Sequence, residues 1–168
     1  MRNFKTQLSG QIGENLVVAE LGRLGLLATT LPGNAPDIDI LAYANRKSIP
    51  IQVKSLRKGS LSVDARKYLN IEHVGKVQNV VGKVTDIDRG LVFVMVKIGG
   101  EIGDDEFYVC DQGVVQDLVY RNYSRFLQKH KGVRPRNYQT THCAYSVKDL
   151  ANYRNNWELI TKQLVNKK

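Results

Sequence analysis

The chain has 168 residues and a mass of 19.0 kDa, which is enough for one domain with a hydrophobic core and too little for two ordinary domains. Its hydrophobic content of 42% and charged content of 24% are those of a globular protein, and no run approaches the roughly 20 apolar residues of a membrane helix. The first ten residues lack the apolar stretch of a secretion signal, so we expect one domain, no membrane partner and a cytoplasmic location.

Positive charge is the strongest feature of the composition. Lys and Arg number 25 against 16 Asp and Glu, which gives a net charge of +9 at pH 7. An excess of this size favours binding to polyanions, because each phosphate neutralised by Lys or Arg releases condensed counterions. Charge alone does not separate nucleic-acid-binding proteins from other basic proteins, so the assignment depends on a site.

The two cysteines indicate neither a metal cluster nor disulfide bonding. Cys110 and Cys143 are far apart in the sequence and have no second pair or histidine cluster near them. We expect both to be reduced, structural thiols.

The first half of the sequence predicts one helix followed by short strands. Apolar residues recur at helical spacing over residues 7–24, and glycines near the end of this range mark the stop. Residues 28–31 are compatible with a strand, and residues 32–36 are rich in turn formers. Residues 38–43 and 48–56 are predicted strands separated by a turn.

The second half predicts further strands and a second helix. Residues 60–71 are compatible with either a strand or a helix, residues 91–98 predict a buried strand, and residues 106–110 a shorter one. Helical spacing returns over residues 114–129, and residues 149–164 predict a final short helix or turn. The order of helix, strands and helix, without repeats or linkers, predicts an α/β domain with one mixed sheet flanked by helices.

Glu14 is an unusual residue of the first predicted helix. On a helical wheel it shares the apolar stripe of Val17, Val18 and Leu21, which follow three, four and seven positions later. A carboxylate in that stripe is costly to bury unless a cation or hydrogen bonds compensate it. Taken alone, Glu14 is better explained as an exposed helix residue near an N-terminus, where negative charge is favourable.

Polar residues in two consecutive predicted strands are expected to face one another. Asp37 and Asp39 lead into one strand, and the alternation of the next strand places Gln52 and Lys54 on one face. If the two strands are neighbours, Asp39, Gln52 and Lys54 meet above one face of the sheet, and Glu14 reaches them from the helix packed there. Turn residues and a solvated strand face explain these residues when taken separately, so the prediction rests on their joint occurrence.

These side chains suit the hydrolysis of a phosphodiester. Asp39 and the Gln52 amide offer hard oxygen ligands to Mg²⁺, for which Mn²⁺ is a substitute. The further donors are Glu14, which acts through water, and the Val53 carbonyl. Lys54 is suited to orient or help deprotonate the attacking water and to neutralise charge on the phosphate. The predicted catalytic residues are therefore Glu14, Asp39, Gln52 and Lys54.

In this order and spacing, three segments resemble the signature of the PD-(D/E)xK, or restriction-endonuclease-like, nuclease superfamily. They are residues 10–14 (GQIGE), 36–40 (PDIDI) and 51–54 (IQVK), all in the first third of the chain. The resemblance implies an αβββαβ core and Mg²⁺-dependent cleavage of DNA by an endonuclease. We expect a single nuclease-like domain over residues 1–168, with a catalytic core over about residues 7–110 and a helical, basic region over about residues 111–168.

Two features of the resemblance leave alternatives open. Most members of the superfamily carry Glu or Asp where this chain has Gln52, although the Gln form occurs in some, including certain intron-associated homing endonucleases. A neutral ligand lowers the negative charge of the site, so the resemblance implies the fold more directly than it implies catalytic activity. Asp39 is favoured as the metal ligand because it leads directly into hydrophobic strand residues, and Asp37 would then be a neighbour or a loop cap.

Further basic residues are candidates for contact with DNA. Arg57 and Lys58 follow the predicted site directly and are expected at its rim. A second basic cluster is interleaved with Tyr120, Tyr123 and Tyr138. Its members are Arg121, Arg125, Lys129, Lys131, Arg134 and Arg136. Basic residues with aromatics contact phosphates and stack on unpaired bases, but a solvated helix face explains the helical part of this cluster about as well.

Three kinds of function are compatible with this sequence. The first is a Mg²⁺-dependent endonuclease, the second a non-catalytic nucleic-acid-binding module on the same scaffold, and the third a domain whose basic surface meets an acidic protein. Metal binding distinguishes the first two, and a strong salt dependence of DNA binding counts against the third. A homodimer is compatible with symmetric cleavage of duplex DNA, which needs two sites, but no interface is identifiable from the sequence.

Overall fold

The computed structural model describes residues 4–33, 35 and 37–165 of the chain. Within this part, no helix combines the length and the apolar character needed to cross a bilayer. Pro36 of the PDIDI segment lies outside the described residues.

The first helix, α1, spans Phe4–Arg23 and confirms the predicted first helix. It ends in a Schellman motif, in which the N–H groups of Gly25 and Leu26 donate to the carbonyls of Gly22 and Leu21 at 3.0 Å each. Gly25 has a φ of 76°, and this left-handed conformation is the physical reason that the helix stops here.

Three antiparallel strands follow the helix. They are β1 (Leu27–Thr30), β2 (Ile40–Ala44) and β3 (Lys47–Leu56), and they confirm the strands predicted in this part of the chain. Asn45 and Arg46 join β2 to β3 with positive φ angles of 51° and 63°. Two consecutive positive φ angles are typical of the type I′ turn that closes a two-residue hairpin.

The segment after β3 consists of short strands. The sequence pattern of residues 60–71 did not distinguish a strand from a helix. In the structure this region consists of β4 (Leu61–Asp64), a 3₁₀ turn (Ala65–Lys67) and the start of β5 (Leu69–Val74). β5 forms a hairpin with β6 (Val77–Lys83) where the αβββαβ order implies a helix. A bulge at the Asn70/Ile71 step interrupts the alternation of side chains, which explains why the sequence pattern did not reveal this hairpin.

The last two strands of the main sheet are β7 (Val92–Lys97) and β8 (Glu106–Asp111), and helix α2 (Gln112–Lys129) follows β8 directly. The Asp111 carboxylate caps α2 by accepting a hydrogen bond from the N–H of Val114 at 2.9 Å. The sheet has the order β1-β2-β3-β7-β8, and of its neighbouring pairs only β3 and β7 run parallel.

The sequence predicts a helical C-terminal region, but in the structure this region also contains a strand. It contributes β9 (His142–Tyr145), which pairs with β4. A 3₁₀ segment (Val147–Tyr153) and helix α3 (Glu158–Leu164) follow. The predicted last element is therefore divided in two, and Asn155, with a φ of 52°, lies at the break.

Helices cover both faces of the main sheet, as expected for this fold class. α1 and α3 pack on one face, which includes Val53 and Val94. α2 packs on the other face, which includes Phe93 and Met95, so β7 is almost completely buried. Both cysteines are buried and free, as predicted.

Candidate functional site

Asp39 lies just before β2, where the pairing of β2 with β3 ends. The last pair in register is Ile40 with Ile51, whereas β3 continues to Leu56. The Asp39 carboxylate fills this open edge of β3, because its Oδ2 accepts a hydrogen bond from the Val53 N–H at 2.7 Å. The N–H and C=O groups of one strand residue point to the same side, so the Val53 carbonyl faces the same opening.

Gln52 and Lys54 lie on either side of Val53 and on the face of the sheet that α2 covers. Their register partners in β7 are Phe93 and Met95, which pack against α2. The expectation that Gln52 and Lys54 share one face is therefore confirmed. Gln52 is only 7% exposed, and its amide makes no hydrogen bond to a residue that the structure describes. Lys54 is exposed and forms no salt bridge within the described part of the chain.

Glu14 approaches the site from the other side of the sheet. α1 packs on the face opposite to Gln52 and Lys54, so it does not lie above them as the sequence had suggested. The half-buried Glu14 is nevertheless close enough to Asp39 and Lys54, past the open edge of β3, for both charges to shift its pKa. Burial, and then the charge of Asp39, raise the pKa of Glu14, while Lys54 acts in the opposite direction.

A cavity of about 590 Å³ opens beside Gln52 and Lys54. Exposed Asp37, with a φ of 58°, also lines it, whereas Glu14 and Asp39 are not part of its lining. The lining residues that the sequence did not single out include Ser62, Asp64, Lys67, Tyr68, Asp86 and Gln112. The first four of them come from the region around β4 in which strand and helix could not be distinguished, so no periodic signal assigned them to a face.

The oxygen atoms around the open edge of β3 are compatible with one Mg²⁺ ion. Among residues 4–33, 35 and 37–165, no group of three or more His, Cys, Asp or Glu side chains could hold a metal ion by itself. Two carboxylates, Glu14 and Asp39, repel each other without a cation, and the nearly buried Gln52 amide lacks a partner among the described residues. Carboxylate, amide and carbonyl oxygens of this kind are the donors that Mg²⁺ accepts in proteins while it keeps several waters.

The predicted DNA-contacting residues lie in two places. Arg57 and Lys58 are exposed directly after β3, three and four residues beyond Lys54, and neither is among the residues that line the cavity. The second cluster begins in the C-terminal half of α2 and continues beyond the end of the helix. Gln112, at the N-terminal end of α2, lines the cavity. Lys129 is 17 residues further along the helix, so this cluster extends to roughly 25 Å from the cavity at 1.5 Å per residue.

Members of the second cluster differ in their freedom to bind a ligand. Arg121 lies 4.0 Å from the Asp149 carboxylate, and Arg134 packs over the rings of Tyr123 and Phe126 at 5.5 and 4.7 Å. Tyr123 is 1% exposed, so it is not the stacking platform that its position between basic residues had suggested. The exposed members that form no salt bridge with a described residue are Arg125, Lys129, Lys131 and Arg136.

Comparisons with known proteins identify the fold. No protein-family model matches this chain, and no curated protein matches its sequence. The solved structure of the bacterial homing endonuclease I-Ssp6803I is similar, with a TM-score of 0.52, 16% identity and coverage of 94% of each chain. The Holliday junction resolvase Hjc of Archaeoglobus fulgidus gives a TM-score of 0.44, with 11% identity over 85% of this chain and 88% of that one. The chain thus has a mixed α/β fold of the restriction-endonuclease-like type, the fold that it shares with the homing endonuclease.

Proposed function

We propose that this protein is a Mg²⁺-dependent endonuclease that hydrolyses phosphodiester bonds of DNA. The observation that carries the proposal is the Asp39 carboxylate, which is fixed to the Val53 N–H at 2.7 Å, between Gln52 and Lys54. A fixed carboxylate, together with a nearly buried amide and an exposed cation that bond to no described residue, supplies groups that a metal-assisted phosphodiester hydrolysis can use. The fold shared with a homing endonuclease supports the same reaction class.

Each residue of the site has a distinct role in this proposal. Asp39 and Gln52 would hold Mg²⁺, and Glu14 would complete the set through water. The bound ion would supply the positive charge that polarises the phosphodiester. Lys54 orients the attacking water and neutralises charge that develops on the phosphate oxygens. Water adds to phosphorus while one P–O ester bond breaks, which gives a phosphomonoester, a hydroxyl group and one released proton.

The basic residues outside the site are proposed to hold the DNA backbone. Arg57 and Lys58 contact phosphates next to the reacting bond, and the free cations of the second cluster contact phosphates further along the same duplex. The separation of roughly 25 Å along α2 corresponds to about seven base-pair steps of 3.4 Å. A single DNA segment is therefore long enough to reach both places.

Cleavage assays with two site variants and a control test the proposal. Asp39→Asn keeps an acceptor for the Val53 N–H but removes the charge, and Lys54→Ala removes the cation. We expect each to reduce Mg²⁺-dependent plasmid cleavage by at least about a hundredfold, with DNA affinity and melting temperature almost unchanged. Lys148→Ala, an exposed lysine on the 3₁₀ segment after β9, is the matched control and should cleave normally. Cleavage at the wild-type rate by both site variants would remove the proposed mechanism.

A non-catalytic nucleic-acid-binding module is the second candidate, and the neutral Gln52 favours it. Among the described residues the site contains two carboxylates and an amide rather than three acidic ligands. Titration of Mn²⁺ by calorimetry separates the candidates. The endonuclease binds the ion at a site that Asp39→Asn weakens, whereas the inert module shows no such site.

A further inference from the structure

Gly13 is the residue at which α1 comes closest to β3. A Cβ atom at this position would overlap the Ser55 hydroxyl oxygen and come within 2.9 Å of Ser55 Cβ. Rotation of the serine side chain would move its oxygen but not its Cβ. Any larger residue at position 13 therefore forces the helix and the strand apart. Gly10, one turn earlier in the same helix, has open space where its Cβ would stand.

Ser55 contributes to this contact by its small size. Its hydroxyl oxygen is buried and has no hydrogen-bond partner among the described residues. A hydroxyl that is buried without a partner costs free energy, so hydrogen bonding does not explain a serine here. The Val96 side chain of β7, at 3.6 Å from the place where a Gly13 Cβ would stand, leaves room for an ordinary contact once Ser55 is reduced in size.

The same contact lies directly behind two residues of the candidate site. Gly13 precedes Glu14 in the chain, and Ser55 follows Lys54. Glu14 senses the charges of Asp39 and Lys54 from the opposite side of the sheet. Its reach across the open edge of β3 therefore depends on how closely α1 approaches β3.

We propose that Gly13 and Ser55 are a pair of positioning residues, which set the spacing between α1 and β3 so that Glu14 reaches the metal site. This inference rests on the endonuclease function proposed above. A catalytic group displaced by about 1 Å can lose about a hundredfold in rate, so a single methyl group at this contact is sufficient to matter.

Three variants of the full chain test the proposal. Gly13→Ala introduces the overlap, Gly13→Ala with Ser55→Gly removes it again, and Gly10→Ala is the matched control in open space. Each is measured for melting temperature, for Mn²⁺ affinity by calorimetry and for Mg²⁺-dependent cleavage. We expect Gly13→Ala to weaken Mn²⁺ binding and to lower kcat by about tenfold or more. The double variant should recover both within about threefold of wild type, and Gly10→Ala should match wild type.

The outcomes separate this inference from the proposed function. If the wild type cleaves DNA and Gly13→Ala binds Mn²⁺ and cleaves equally well, the positioning role is wrong while the nuclease remains. Failure of the double variant to recover, although it is folded, also overturns the positioning role. A wild type that neither binds Mn²⁺ nor cleaves overturns both proposals. Should Gly13→Ala not fold, Ser55→Thr adds a methyl group from the strand side, and unchanged Mn²⁺ affinity and cleavage in that variant contradict the pairing.

Discussion

Glu14 has an electrostatic environment that follows from its position at the open edge of β3. Burial and the nearby Asp39 raise its pKa above the usual value of 4.5, and Lys54 only partly offsets them. A carboxyl whose pKa is higher in the folded than in the unfolded protein stabilises the fold below pH 4.5, and this contribution is lost as the pH rises through the folded value. Without a bound cation, the charged form of Glu14 is therefore less favourable in the folded than in the unfolded protein.

This environment predicts how Glu14→Gln changes the pH dependence of stability. In chelator-treated protein, we expect the variant to gain stability relative to wild type as the pH is raised from 4 to 8, because the neutral amide avoids the charged form. Urea denaturation across this range measures the difference. A difference between variant and wild type that stays constant with pH would contradict the assigned environment.

The sequence identified some site residues and missed others for physical reasons. Alternation along β3 placed Gln52 and Lys54 on one face, because a strand has an invariant period of two. Lys67 and Tyr68 were missed because they lie at the end of a 3₁₀ turn, where no period relates a residue to a face. The side from which Glu14 approaches was also unpredictable, since a helical wheel identifies a buried stripe but not the face of the sheet that the stripe covers.

At the level of elements, the β5–β6 hairpin is the main structure that the sequence did not reveal. Gln78 of β6 is 1% exposed and anchors the hairpin to the loop before β9, with its amide donating to the carbonyls of Tyr138 at 2.5 Å and Thr140 at 3.1 Å. Its side-chain oxygen accepts a hydrogen bond from the Tyr123 hydroxyl of α2. One buried amide thus connects three segments, and this connection depends on contacts between residues far apart in sequence.

We expect Gln78→Ala to destabilise the protein by about 2–3 kcal/mol, because it leaves buried polar groups on Tyr123 and the loop without partners. Asn79→Ala, at the exposed neighbouring position of β6, should change stability by less than about 0.5 kcal/mol. The free energies of unfolding come from urea denaturation. Equal effects of the two substitutions would show that Gln78 does not anchor the hairpin.

Across the whole molecule, the basic side chains behind the net charge of +9 differ in their availability for binding a ligand. Several cations are used within the fold, including Lys83 with Asp117 at 2.8 Å and Arg66 with Asp64 at 2.7 Å. The free cations that concern the proposed DNA path lie near the cavity and towards the far end of α2. Composition predicts that the protein binds a polyanion, but only the fold separates paired from free charges.

This distribution predicts the salt dependence of DNA binding. Combined replacement of Arg125, Lys129 and Arg136 by alanine should lower the slope of log K against log salt concentration by about 0.9 for each phosphate that the variant no longer neutralises. Lys162→Ala serves as the control and should leave the slope unchanged. Lys162 lies on α3, which covers the opposite face of the sheet, and it pairs with Glu158 at 3.0 Å. An unchanged slope in the triple variant would place the DNA elsewhere on the surface.

In the proposed mechanism, Asp39, Gln52 and Lys54 surround one divalent ion at the open edge of β3. Its most direct test is a crystal structure of the protein with Mn²⁺, in which anomalous scattering locates the ion independently of its assumed ligands. We predict an anomalous peak within about 2.5 Å of an Asp39 carboxylate oxygen and of the Gln52 amide oxygen, with Lys54 facing the ion's open side. A saturated crystal with no peak at this edge, or with its only peak elsewhere, would contradict this mechanism.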